Sequence, residues 1–271
     1  GGTVIYWDQW EDGAYEADIF NPTNVYSTSN TQGTQIWGDR NLANGCPLIR
    51  FGLPNPCAVP EDDFLSAGDV VFTRNQVPIR GNSGSYSRNP NDDCTFATGA
   101  TLVDYCFDGR DKIGATFPLV VSRAGWADGS GSLLAGAVEV SSTNGFVKAG
   151  DRVEAPVGPD TANSNSMFEY SALYIMAGDS GAQVSVTNTG GPGGNQTFSL
   201  AQGESRLVRY NDEGAVASVT GGSAQVHLIT GDERTTYESR WFAIPPVSTW
   251  SQAYITAVGT DSGGNCTRVF A

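Results

Sequence analysis

Two stretches decide how the chain is read: Leu65 to Arg74, LSAGDVVFTR, and Leu200 to Arg209, LAQGESRLVR. They match at an offset of 135, Leu65 with Leu200, Gly68 with Gly203, Asp69 with Glu204, Phe72 with Leu207 and Arg74 with Arg209. Each reads as turn, glycine, acid and then strand. A repeated spacing constrains architecture in a way that composition cannot.

Working outward, other blocks recur in the same order. Val4 to Tyr6 (VIY) parallels Val184 to Val186 (VSV) at an offset of 180, and Phe117 to Gly125 (FPLVVSRAG) parallels Ser223 to Gly231 (SAQVHLITG) at 106. Ala155 to Gly158 (APVG) parallels Thr256 to Gly259 (TAVG) at 101. The falling offsets place 45 extra residues in the first half before Leu65 and 29 more between Arg74 and Phe117. The expected fold is therefore all-β: two related β-sandwich modules, jelly-roll or Ig-like, over 1–160 and 161–271, arising from an internal duplication. The first carries insertions near 8–60 and 76–112, and the second ends in a strand-like tail.

Composition agrees with strands. Of 271 residues 39% are hydrophobic, 16% are charged and 34 are glycine, and short runs rich in Val, Thr, Ser, Tyr and Trp alternate with turn residues. Alternation is clearest at Gln183 to Thr187 and Ala224 to Ile229, and no long amphipathic helix is evident. A formal charge of −14, with lysine only at positions 112 and 148, argues against binding nucleic acid or an anionic membrane. No apolar run approaches the ~18 residues of a membrane span, and the chain reads as a mature, soluble product with no signal peptide.

Cysteine usage points to an oxidising compartment. Cys46 and Cys57 lie 11 positions apart, and Cys94 and Cys106 lie 12 apart, each pair inside one insertion and neither in zinc or redox spacing. A local clip on each insertion is expected, worth roughly 2–3 kcal/mol per loop. Cys266 is left over as a candidate intermolecular thiol, and Asn195 and Asn265 head N-glycosylation sequons. Location is expected to be secreted, extracellular or at the cell surface.

The halves differ at their starts. FEYSALYIM, 168 to 176, precedes the Val184 block, and the first module is expected to lack or borrow the counterpart of that strand before Val4. A module lacking a strand leaves unpaired backbone groups that template pairing with another chain. Val4, Ile5 and Tyr6 are the expected acceptor side, and the tail bearing Val269 and Phe270 beyond a glycine-rich hinge is the expected donor.

Chemistry has few candidates. His227, the only histidine, aligns with Val121, and no serine stands in a Gly-x-Ser-x-Gly elbow, so a triad is not supported and no enzyme is expected. Asp8, Glu11 and Asp12 in the DQWEDG loop are the candidate calcium ligands, although solvated loop acids are the ordinary reading of such a cluster. No other cofactor is expected. Trp7, Trp10 and Trp37 are candidate stacking residues for a polysaccharide, with core packing as the commoner fate of tryptophan.

The second half resembles the N-terminal domain of the IgG Fc-binding protein family and related large secreted microbial and algal surface proteins. ALYIMAGDSGAQVSV, FSLAQGESRLVR, QVHLITGD and IPPVSTWSQAYITAVGT carry the likeness, and VIYWDQWEDG with TQIWGD resembles the opening of similar microbial surface proteins. The resemblance implies a secreted β-rich surface domain. It does not carry antibody binding, because TTYESRWFA replaces the Cys- and acid-containing segment of the animal proteins. The leading expectation is an extracellular structural subunit that polymerises with itself by β-strand exchange into a surface filament or pilus-like fibre. The alternative is a carbohydrate-binding or adhesive domain with calcium-ordered loops, and an acid-pair hydrolase comes third.

Overall fold

Glycine-punctuated apolar runs form an all-β chain. The structure, a computed structural model, describes residues 2–8, 14–47, 49–50, 57–72, 111–126, 134–159, 170–190, 194–210, 214–231 and 240–253. In chain order the strands are β1 (Ile5–Asp8), β2 (Gln35–Trp37), β3 (Ile49–Arg50), β4 (Val71–Phe72), β5 (Lys112–Ala115), β6 (Ser122–Trp126) and β7 (Leu134–Glu139). They continue as β8 (Val147–Lys148), β9 (Arg152–Glu154), β10 (Tyr170–Thr187), β11 (Gln196–Leu200), β12 (Ser205–Tyr210), β13 (Val216–Gly231) and β14 (Arg240–Ala243). The helical turns among the described residues are short 3-10 segments at Pro60–Asp62, Thr143–Gly145 and Val247–Thr249.

The large sheet is built on β10 and β13, antiparallel along their whole length. β12 and β11 share the far edge of β10, and β9, β8 and β14 share the far edge of β13. This sheet draws strands from both sides of position 160. The YSALYIM part of the first run, from Tyr170, and the AQVSV run are one strand of 18 residues, β10, and VASVT and AQVHLIT likewise merge into β13. Gly181 and Gly222 explain the merger. Their φ values of +73° and +70° bend the ladder where its register shifts, and a Cβ on Gly222 would collide with the Gly181 carbonyl.

Both arms of the bent ladder feed one core. Leu173 and Ile175 from the first arm of β10 join Val184 and Val186 from the second, together with Val153, Val208, Val219 and Leu228. The opposite face of the first arm is also covered, with Ala172, Tyr174 and Ile229 buried and the Tyr174 hydroxyl donating to Ser205 Oγ at 2.9 Å. His227, opposite Tyr174 in the ladder, is a buried strand residue.

A second, three-stranded sheet runs β2, β1, β5. Its own small core is Trp7, Trp37 and Leu65, with Ile5 and Val71 against them. Cys46 and Cys57 form a disulfide that clips the segment after β2. Fully buried Asp63 holds the neighbouring loop: Gly38 N–H donates to its Oδ1 at 2.6 Å and Asn41 N–H to its Oδ2 at 3.2 Å. The sheets meet at Lys112, whose ammonium lies 3.1 Å from Asp179 Oδ1, and at Tyr15, whose ring packs where Gly203 has no side chain.

The two LxxG-acid stretches adopt one turn. Asp69 N–H donates to Ser66 C=O at 3.1 Å and Glu204 N–H to Ala201 C=O at 3.1 Å, with Gly68 and Gly203 at φ +89° and +65°. Each acid reaches back, Asp69 Oδ2 to Ser66 N–H at 2.6 Å and Glu204 Oε2 to Ala201 N–H at 2.8 Å. A third copy that the sequence comparison missed is Lys148 to Asp151, with Gly150 at φ +89° and a 2.9 Å closing bond.

Candidate functional site

The site worth building is the outer edge of β5, because it combines a one-sided strand with exposed apolar side chains. β5 pairs with β1 in the register Ile5 to Ala115, Tyr6 to Gly114 and Trp7 to Ile113, and Thr116 N–H continues the ladder onto the Val4 carbonyl at 3.0 Å. Among the described residues no strand lies on its other side. A row of backbone donors and acceptors at such an edge is a template for another strand.

Side chains around the edge are unusually apolar for a surface. Phe117 is 54% exposed and Val120 78%, and Ile113, Leu119 and Phe20 are exposed beside them. Phe20 meets Tyr6 edge to face at 5.6 Å, while Ile19 and Phe20 press so closely on Gly114 that a Cβ there would lie 2.9 Å from Ile19 Cγ2. The edge is fixed in place by Lys112, which donates to the Glu16 carbonyl at 3.1 Å and sits over the Tyr15 ring at 5.6 Å. Pro118 limits the edge. It has no N–H to offer and interrupts the β-prone run from Phe117 to Val121, which confines an added strand to about the length of β5.

The acceptor edge expected at Val4, Ile5 and Tyr6 needs correction. Ile5, Tyr6 and Trp7 are paired on both sides, by β2 and by β5, so β1 is an interior strand and the available edge moves to β5. Trp7 and Trp37 are also corrected as sugar-stacking residues: at 6% and 3% exposure, with ring centroids 4.9 Å apart, they are core. The tilted pair buries the faces a sugar would need. Asp8 is buried, and its Oδ2 accepts Glu16 N–H at 2.7 Å, so it pins a loop.

Among the described residues no group of three His, Cys, Asp or Glu side chains converges as a metal site, and no helix is long and apolar enough to cross a membrane. Asn195 is exposed at the bend leading into β11. Trp10, Glu11, Asp12, Cys94, Cys106, Asn265, Cys266, Val269 and Phe270 lie outside the described residues.

Titration behaviour marks two further carboxylates. Burial pushes the Asp63 carboxyl up, the hydrogen bond from Gly38 opposes it, and the side chain and charge of Asp39 add to the rise. Asp151 moves the other way: a burial penalty is outweighed by hydrogen bonds from Ser248 and the Arg152 and Ser248 backbone, together with the Arg152 charge. Both aspartates accept hydrogen bonds from backbone amides, Asp63 from Gly38 and Asn41 and Asp151 from Arg152 and Ser248, so both act as loop fasteners. No protein-family model, curated protein or solved structure matches the chain.

Proposed function

We propose that the chain is an extracellular structural subunit that self-assembles head to tail by β-strand complementation, forming a surface filament or pilus-like fibre. The observation that supports this reading is the outer edge of β5, paired on one side among the described residues and flanked by exposed Ile113, Phe117, Leu119 and Val120. A donor strand would satisfy that edge with backbone hydrogen bonds and cover its apolar fringe. Each side chain so buried contributes ~1.5–3 kcal/mol before the cost of ordering the donor.

The finer architecture belongs to the same reading: two related β-sandwich modules, a Cys94–Cys106 clip, Cys266 as an intermolecular thiol, glycans at Asn195 and Asn265, and secretion to the cell surface. The likeness to the IgG Fc-binding domain family fits such a module. With Trp7 and Trp37 in the core, nothing described favours the carbohydrate-binding alternative over assembly. The net charge of −14 opposes contact between copies, so assembly should strengthen as salt screens it.

The test is sedimentation and electron microscopy of the full chain across concentration and salt, beside the Ile113→Lys/Phe117→Lys variant. Regular fibres from the parent and monomers from the variant, with unchanged far-UV spectra, are expected. A parent chain that stays monomeric at all concentrations overturns the proposal.

A further inference from the structure

The donor can be named from an internal correspondence in the geometry. β1 pairs β5 as β10 pairs β13: Ile5 faces Ala115 where Ser185 faces Ser218, and Tyr6 faces Gly114 where Val186 faces Ala217. At the constant offset of 180 that links Val4 with Val184, β5 therefore stands where Val216 to Ser218 stand in the large sheet. Further along, the β6–β7 hairpin corresponds to β13–β14, the starts of β7 and β14 lying 106 positions apart.

The correspondence continues into the 3-10 turns. Ser142 and Pro246, which precede them, have φ and ψ of −62°, 159° and −56°, 145°, and Phe146 and Trp250, which follow, have −68°, 146° and −67°, 147°. The Gly145 and Thr249 amides close the two turns onto Ser142 and Pro246 at 2.8 and 2.9 Å. After the first turn come β8 and then β9, and β9 lies on the side of β13 away from β10 with Glu154 opposite Val216, Val153 opposite Ala217 and Arg152 opposite Ser218. After the second comes SQAYITAVG, 251 to 259, in which TAVG matches the APVG that follows β9.

We infer that the strand completing the β5 edge is Ala253 to Ile255, the counterpart of β9, in place of the terminal tail holding Val269 and Phe270. By analogy with β9 the donor would set Ile255 against Ile113, Tyr254 against Gly114 and Ala253 against Ala115, with Tyr254 and Ile255 lying outside the described residues. Exposed Gln252 and Ala253 pair with no strand of their own molecule among the described residues, and Ser248 is instead fastened to Asp151 beside β9. The assembly proposed above makes that donor a second copy. This last step rests on the assembly proposed above, whereas the choice of segment rests on the correspondence alone.

The experiment replaces exposed Phe117 in the full chain with the photo-crosslinker p-benzoylphenylalanine, using an equal mixture of light and heavy isotope chains. Crosslinks to a peptide within 250–259 are expected, joining light to heavy chains. They should be lost in both Tyr254→Pro and Ile255→Pro when these are combined, since one of two adjacent N–H groups must point at β5. Retained exchange protection in β13 shows that the variant still folds. Crosslinks to 250–259 within one chain keep the segment and overturn the assembly. Crosslinks elsewhere, or crosslinks that survive the double proline, overturn the segment.

Discussion

Lys112 Nζ lies 3.1 Å from Asp179 Oδ1, tying the edge strand β5 to the bend of β10. Asp179 is largely exposed, so the ion pair alone contributes little. Lys112 also holds the Glu16 carbonyl and covers Tyr15. Replacing it with methionine keeps the stem and removes those polar contacts. Lys112→Met should lower unfolding stability by about 1 kcal/mol, read as a shift in urea midpoint, and should raise amide exchange at β5 while β13 stays protected.

The two kinds of left-handed glycine should separate cleanly. A Cβ at Gly150 meets open space, so Gly150→Ala carries only the conformational penalty of ~1–2 kcal/mol. At Gly222 the same substitution also strikes the Gly181 carbonyl. Gly222→Ala should cost more than ~3 kcal/mol, and equal urea midpoints for the two variants would refute the bend described for β10 and β13.

Much of this fold was legible in residue patterns because local rules and tertiary structure agree. The alternation of Val184 and Val186 with Gln183 and Ser185 does mark one buried face, and the matching LxxG-acid stretches do form matching turns. The bend was illegible for a physical reason. Gly178 and Gly181, like Gly221 and Gly222, look like strand breakers in sequence, but here they continue the ladder through a bulge. Trp7 and Trp37 misled because burial is decided by distant partners, Leu65 and Val71 among them. The β5 edge carries a signal that repeat matching does not isolate: Phe117, Leu119 and Val120 are apolar on both parities, which no half-buried strand requires.

Two aspartates should give stability opposite dependences on pH. Asp63 has a folded pKa above its ordinary value of 3.8, so its favourable contribution is present below that value and is lost as pH rises through the folded pKa. Asp39→Asn removes two of the causes of the rise and should flatten that loss. Asp151 has a folded pKa below 3.8, so its contribution is present above that value and is lost as pH falls through the folded one. Ser248→Ala should flatten that second slope. Urea midpoints measured from about pH 2 to 6 test both, and slopes unchanged in either variant would remove the assigned cause.

Pro118 should act as a guard on the same edge that the assembly uses. It interrupts the run Ile113 to Val121, in which nearly every other residue is apolar or small, and it cannot donate to a ladder. Pro118→Val would leave a continuous β-prone stretch with no charge between Lys112 and Arg123. Its backbone sits outside the regular strands, so folded stability should change by less than ~1 kcal/mol. Association should change instead: irregular aggregates, seen by light scattering and electron microscopy, should appear at concentrations where the parent chain gives only ordered species. If Pro118→Val assembles indistinguishably from the parent, the proline does not limit strand addition, and the length of the docking edge must be set by Ile19 and Phe20 where they cover Gly114.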